Sequence, residues 1–122
     1  MVPPEKLTVE QTGGLIVALS GVANGDRLAI LDVLRRAASA ADVSLTITEI
    51  AARADLSRFS ASRHLHILCS AGLVDVVRSG SAQLHRLRPE GFGVIEDWLY
   101  PITELDAGDP ILAAGSGDTS AR

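Results

Sequence analysis

Cysteine, aromatic rings and lysine are all scarce in this chain of 122 residues, which has one Cys, one Trp, one Tyr, two Phe and, among its 11 basic side chains, Lys6 as the sole Lys. A lone Cys excludes an internal disulfide framework and any zinc site of the Cys-rich type. Gly, Asp, Arg or Ser interrupts every apolar stretch well short of the roughly 20 residues needed to span a bilayer, so no membrane segment is expected. Nothing at the N-terminus reads as a signal peptide, and a reducing cytoplasm is the expected compartment. The preference for Arg over Lys, with abundant Ala, is the bias expected of a GC-rich bacterial genome. What the chain does have is apolar bulk: 47% of its positions are hydrophobic, enough for one compact domain but not two.

Negative charge predominates, with 15 acidic against 11 basic side chains and a net charge of −4. A uniformly basic nucleic-acid coat is therefore excluded, and any site for a polyanion must be local. The distribution is uneven. Residues 1–52 carry a net −2, residues 53–88 a net +4 from Arg53, Arg58, Arg63, Arg78, Arg86 and Arg88 against Asp55 and Asp75, and residues 89–122 a net −6. A basic island between acidic flanks suits a module that faces a polyanion, and equally suits a solvated patch.

Periodicity and capping residues divide the chain. Residues 1–8, with Pro3 and Pro4, are expected to form an arm. Leu15, Ile16, Leu19, Val22 and Ala23 recur at helical spacing and predict a helix from Val9 to Ala23. Asn24 offers a side-chain oxygen as N-cap and Asp26 suits the positive end of the helix dipole, so a second helix follows to Ala38, with Ile30, Leu31 and Leu34 on one face. Thr46 and Glu49 form a capping box before a short helix over 47–54. Ser57 caps another running to about Ser70, whose inward stripe is Ala61, Leu65 and Leu68, and Gly72 is placed to end it. Strands over 73–78 and 82–88 flank Ser79-Gly80-Ser81 as a hairpin. Pro89 is expected to open a last helix with Phe92, Ile95, Leu99 and, past a bend or end near Pro101, Ile102 on one face. The domain is thus expected over 9–105, and 106–122, rich in Gly, Asp, Ser and Ala, as a disordered tail. No internal repeat is evident.

In order, these elements make a mainly helical protein with a small β-hairpin: a winged helix-turn-helix. The second helix of such a unit can enter the major groove, about 12 Å wide, while the hairpin reaches neighbouring phosphates. With Ala61, Leu65 and Leu68 committed to the core, Ser57, Arg58, Ser60, Ser62, Arg63 and His66 are left on the outward surface. Arg can donate two hydrogen bonds to guanine, Ser hydroxyls reach base edges or phosphates, and amides at a helix start favour a phosphate.

Four stretches at this order and spacing, Ala23-Asn24-Gly25-Asp26-Arg27-Leu28-Ala29-Ile30-Leu31, Ile47-Thr48-Glu49-Ile50-Ala51, Leu56-Ser57 with Ser62-Arg63-His64-Leu65, and Leu68 with Ala71-Gly72-Leu73-Val74, resemble the ArsR/SmtB-like family of winged helix-turn-helix transcriptional regulators. The resemblance spans about residues 15–105 and implies a homodimer on an inverted-repeat DNA operator. The first and last helices would pack across a two-fold axis through Leu15, Ile16, Leu19, Phe92, Ile95 and Leu99. Besides the six outward residues, it assigns Arg78, Ser81 and Gln83 on the wing to DNA. Phe59 departs from the small polar residue usual there, and either stacks on a thymine methyl or covers the helix start. Ala82 and Gln83 replace basic or aromatic wing residues.

Many relatives sense metals through thiolates on the helix before the turn or through His and carboxylates on the last helix. Residues 47–54 contain no Cys, and 89–122 contain neither His nor Cys, so no metal ligand and no cofactor is assigned. Glu90, Glu96, Asp97 and Glu104, with His85, read more simply as a solubilising acidic face. His64 and His66 stand about 200° apart around a helix and cannot share an ion; each is expected to serve packing or DNA. His66 and Cys69 share a face, but two ligands do not make a site, and Cys69 reads as a small, partly buried hydrophobe rather than a redox sensor.

The leading expectation is a cytoplasmic, homodimeric, sequence-specific DNA-binding regulator, a repressor if it follows its relatives. A second is a version governed by nickel or zinc, a small molecule or a protein co-regulator; a third is a winged helix used for protein contacts alone, which salt-insensitive DNA binding would betray. An enzyme is not expected: Ser62 and His66 have helical spacing, but no acid, oxyanion hole or Gly-rich phosphate loop accompanies them.

Overall fold

A computed structural model describes residues 6–41 and 44–105. The predicted tail, 106–122, lies outside the described residues, as do 1–5 of the arm and 42–43. The elements are α1 (Val9–Val22), α2 (Gly25–Ser39), α3 (Ile47–Ala54), α4 (Arg58–Ser70), β1 (Val74–Ser79), β2 (Ala82–Leu87), a 3-10 turn (Pro89–Phe92) and α5 (Gly93–Thr103). No single helix among them is long and apolar enough to cross a membrane.

Each of the first four helices starts where a side-chain oxygen meets an orphan amide. Thr8 and Gln11 exchange bonds of 3.0 and 2.8 Å, a capping box that anchors α1 despite Gly13 and Gly14. Asn24 Oδ1 accepts from Arg27 N at 3.0 Å, and Thr46 and Glu49 close the box that starts α3. Ser57 Oγ accepts from Ser60 N at 3.0 Å, so Ser57 is the cap and α4 proper begins at Arg58. Between α3 and α4 the chain turns through Asp55 in the left-handed region, φ 60°. Asp tolerates that region better than most residues.

The buried stripe predicted for α4 is present: Ala61, Leu65 and Leu68 are at most 2% exposed. Leu65 and Leu68 meet Ile30, Leu34 and Ala37 of α2, Leu45, Ile50 of α3, and Leu73 and Val74 in one aliphatic core. Gly72 ends α4 at φ +77°, and Gly80 turns the hairpin at φ +64° between the paired residues Ser79 and Ala82. β1 sits one residue later than expected, while β2 starts at Ala82 as expected and ends one residue early. Leu73 is fully buried and holds Leu68 O and Arg88 N through its backbone, so it closes the helix end and leaves the ladder to start at Val74; β2 ends at Leu87.

Pro89 does not open the last α-helix as expected; it opens the 3-10 turn, and α5 begins at Gly93. Within that turn Gly91 passes so close to the Gly72 carbonyl that a Cβ there would collide with it. The chain thus crosses the end of α4 closely before the regular helix starts. Pro101 falls in the last turn of α5, which runs on to Thr103. Phe92 and Ile95 lean on the core, whereas no residue of α5 is fully buried.

Candidate nucleic-acid interface

The N-terminal ends of α3 and α4 and the tip of the hairpin border one groove of about 340 Å³, lined by Thr46, Ile47, Thr48, Arg58, Arg78, Ser81, Ala82 and Gln83. The three wing residues implied by the family resemblance and Arg58 of the outward set therefore converge. Two guanidiniums beside hydroxyl and amide groups make a rim of donors, the chemistry a phosphate backbone takes. Thr46 and Thr48 were not in the predicted set. The capping box over 46–49 carries the signal, because it exposes the start of α3 next to that of α4.

Farther along α4, Ser62 and Arg63 are exposed, and the Arg63 guanidinium lies 5.9 Å from the centroid of the Phe59 ring. Phe59 is 73% exposed, so it does not cover the helix start; it holds Arg63 by a cation–π contact. Ser60 is half-buried, and the Ser57 hydroxyl is occupied by its cap. His66 is exposed but does not join the Arg58 groove. It lines a second groove, about 420 Å³, with Ile16, Val17, Arg27 and Ile67, toward α1.

His64 and His85 both point inward. His64 lies buried between α4 and the start of α2, with Nδ1 3.3 Å from Arg27 Nη1 and Nε2 3.5 Å from Asp26 Oδ2. His85 lies at the root of the wing, where Nδ1 is 3.2 Å from Leu45 O and the two backbones exchange bonds of 2.7 and 2.9 Å. Burial holds the His85 pKa below the ordinary imidazole value, against the opposing effect of that hydrogen bond. Cys69 is half-buried, and its surroundings together with the Asp75 charge push its thiol pKa up. Among the described residues no group of three or more His, Cys, Asp or Glu could hold a metal ion.

Of the residues expected at a subunit interface, Leu15 is only 7% exposed and is spent within the subunit; Leu19, Phe92 and Ile95 are half-buried, and Ile16 and Leu99 are exposed. Ile102 is exposed too, and Val17, Trp98 and Tyr100 are exposed apolar neighbours on α1 and α5 that periodicity did not single out.

Residues 22–77 match the model of a helix-turn-helix domain family. The homodimeric winged helix-turn-helix DNA-binding domain of a possible ArsR-family regulator from Mycobacterium bovis superposes with a TM-score of 0.61 at 25% identity, over 84% of this chain and 90% of that one. The chain is thus similar to ArsR-family regulators in fold and in sequence. HlyU from Vibrio cholerae is also similar, at 28% identity and a TM-score of 0.59, covering 76% of this chain and 96% of its own. An ArsR-like transcriptional regulator from Rhodococcus sp. RHA1 shares the fold over 93% of this chain and all of its own, at 23% identity and a TM-score of 0.66. No curated protein matches the sequence. The protein is thus a DNA-binding winged helix-turn-helix transcriptional regulator similar to ArsR-family proteins, and the similar structures whose function is named are regulators rather than enzymes.

Proposed function

We propose that the protein is a cytoplasmic homodimeric repressor that occupies an inverted-repeat operator and blocks promoter access. Arg58, Ser62 and Arg63 of α4 read or clamp the major groove, Ser57 and Ser60 present the helix start to a phosphate, and Arg78, Ser81 and Gln83 grip the backbone beside it. The observation that carries this reading is the convergence of Arg58, Arg78, Ser81 and Gln83 on one groove. His66, turned toward α1, has at most a peripheral part. Pairing uses the exposed apolar side chains of α1 and α5, Ile16, Trp98, Leu99 and Ile102, with Leu19, Phe92 and Ile95 supporting them from beneath.

Selection of bound sequences from a random duplex pool, with sedimentation of the free protein, tests the proposal. The expected product is a palindrome whose half-sites lie about 34–36 Å apart, bound by a dimer with an affinity that falls steeply with salt. A chain that stays monomeric, enriches no sequence, or binds weakly without salt dependence overturns it; the last result would point to protein contacts alone. Reporter expression from the selected operator then gives the sign of regulation.

A further inference from the structure

The apolar packing of α4 leaves its orientation loosely specified. Ala61, Leu65 and Leu68 are aliphatic, and such contacts have no direction, so by themselves they tolerate small rotations and slips of the helix. A polar cluster supplies the missing direction. Arg27, in the first turn of α2, donates through Nε to Gly21 O at 2.7 Å and through Nη2 to Ser20 O at 3.2 Å. Both carbonyls belong to the last turn of α1, whose acceptors lack the regular helical donors, Ser20 O taking only a 3.3 Å bond from Ala23 N besides. The same guanidinium reaches His64 Nδ1 at 3.3 Å. Arginine can only donate, so Nδ1 must accept and the ring proton sits on Nε2, which faces Asp26 Oδ2 at 3.5 Å. One planar fork thus joins the end of α1 to the middle of α4, and a carboxylate fixes the tautomer that makes this possible.

We propose that Asp26, Arg27 and His64 are positioning residues for DNA recognition. They hold α4 at one rotation and one offset from α1, so they set where Arg63, the neighbour of His64, points, and how far apart two subunits joined through α1 present their reading helices. This rests on the operator and pairing reading above. Loss of the cluster leaves the phosphate-facing Arg58 and Arg78 in place, so attraction to DNA persists while discrimination and spacing suffer.

The test uses the full chain and the operator that the wild type selects. His64→Leu, Arg27→Lys and Asp26→Ala are compared with Val33→Ala, a half-buried core change in α2 outside the cluster. For each, the ratio of operator to random-duplex affinity, the salt slope, the response to operators with one base pair added or removed at the centre, and the melting temperature are measured. Lys offers a point charge rather than a fork and cannot serve all three acceptors. The cluster variants are expected to lose about tenfold in the ratio, the scale of one mismatched base pair. They should also tolerate the altered spacings and keep the wild-type salt slope; His64→Gln, which retains a donor toward Asp26, should recover most of the ratio. Asp26 is half-exposed, so Asp26→Ala leaves a folded protein even if the buried changes do not. The proposal is overturned if the cluster variants keep the ratio and spacing preference within about twofold, or if Val33→Ala lowers the ratio equally at a matched melting temperature. A wild type that enriches no sequence removes the operator reading and this role with it; a wild type that does, followed by unaltered variants, removes this role alone.

Discussion

The exposed pair of Phe59 and Arg63 offers the sharpest single test of base reading. Arg63 stands on the outward face of α4 with its guanidinium 5.9 Å from the Phe59 ring centroid, which restricts a long side chain before DNA arrives. Arg63→Ala removes one base contact and is expected to cost about 1–3 kcal/mol at the operator, roughly 5- to 150-fold in Kd. Phe59→Ala removes only the preordering, about 0.5–1 kcal/mol for an exposed cation–π pair. Fluorescence anisotropy on labelled duplexes, for wild type, both single variants and the double variant, gives the coupling. If the ring acts through Arg63, its effect vanishes in the Arg63→Ala background. An effect that persists there means that the ring touches DNA itself, as a thymine-methyl contact does. A loss for Arg63→Ala that is uniform across sequences, with the salt slope reduced by about 0.9, marks a phosphate contact and refutes the base-reading role.

Three further outcomes follow from buried groups. Cys69, with its thiol pKa raised by burial and by Asp75, should react with iodoacetamide at pH 8 more slowly than in urea-unfolded chain; equal rates contradict the packing. His85 has a folded pKa below the unfolded value of about 6.5, so the unfolded state takes up its proton first as pH falls. Urea stability should therefore be unaffected by this group above about pH 6.5 and decline below it, and His85→Gln should flatten that acid slope; an unchanged slope assigns the loss elsewhere. Gly91→Ala forces a methyl into the Gly72 carbonyl and should destabilise the fold by about 1–3 kcal/mol in thermal melts, whereas Gly93→Ala, with open space around it, should not.

The helices were legible because their signals are local. A cap three residues from its amide, or a stripe such as Ala61, Leu65 and Leu68, is complete within one element, and so the order of the elements could be read along the chain. What escaped depends on residues far apart. Arg27 meets His64 across 37 positions, and each alone reads as an ordinary helix residue. Gly91 passes against a carbonyl at Gly72, an approach that no periodicity near Pro89 discloses. His66 shows the limit of the outward criterion: a side chain can leave the core and still turn toward α1 instead of toward the groove between Arg58 and the wing.

The paired backbone bonds between Leu45 and His85 fasten the hairpin in front of α3 as well as behind α4. A flap hinged at one end would sweep across whatever lay beneath it, whereas a flap clamped at both sides of its root swings less. Beyond that clamp β2 has only Ala82 to Leu84, about 10 Å of reach, and inserting two residues at Gly80 should shift the protected edge of a bound duplex.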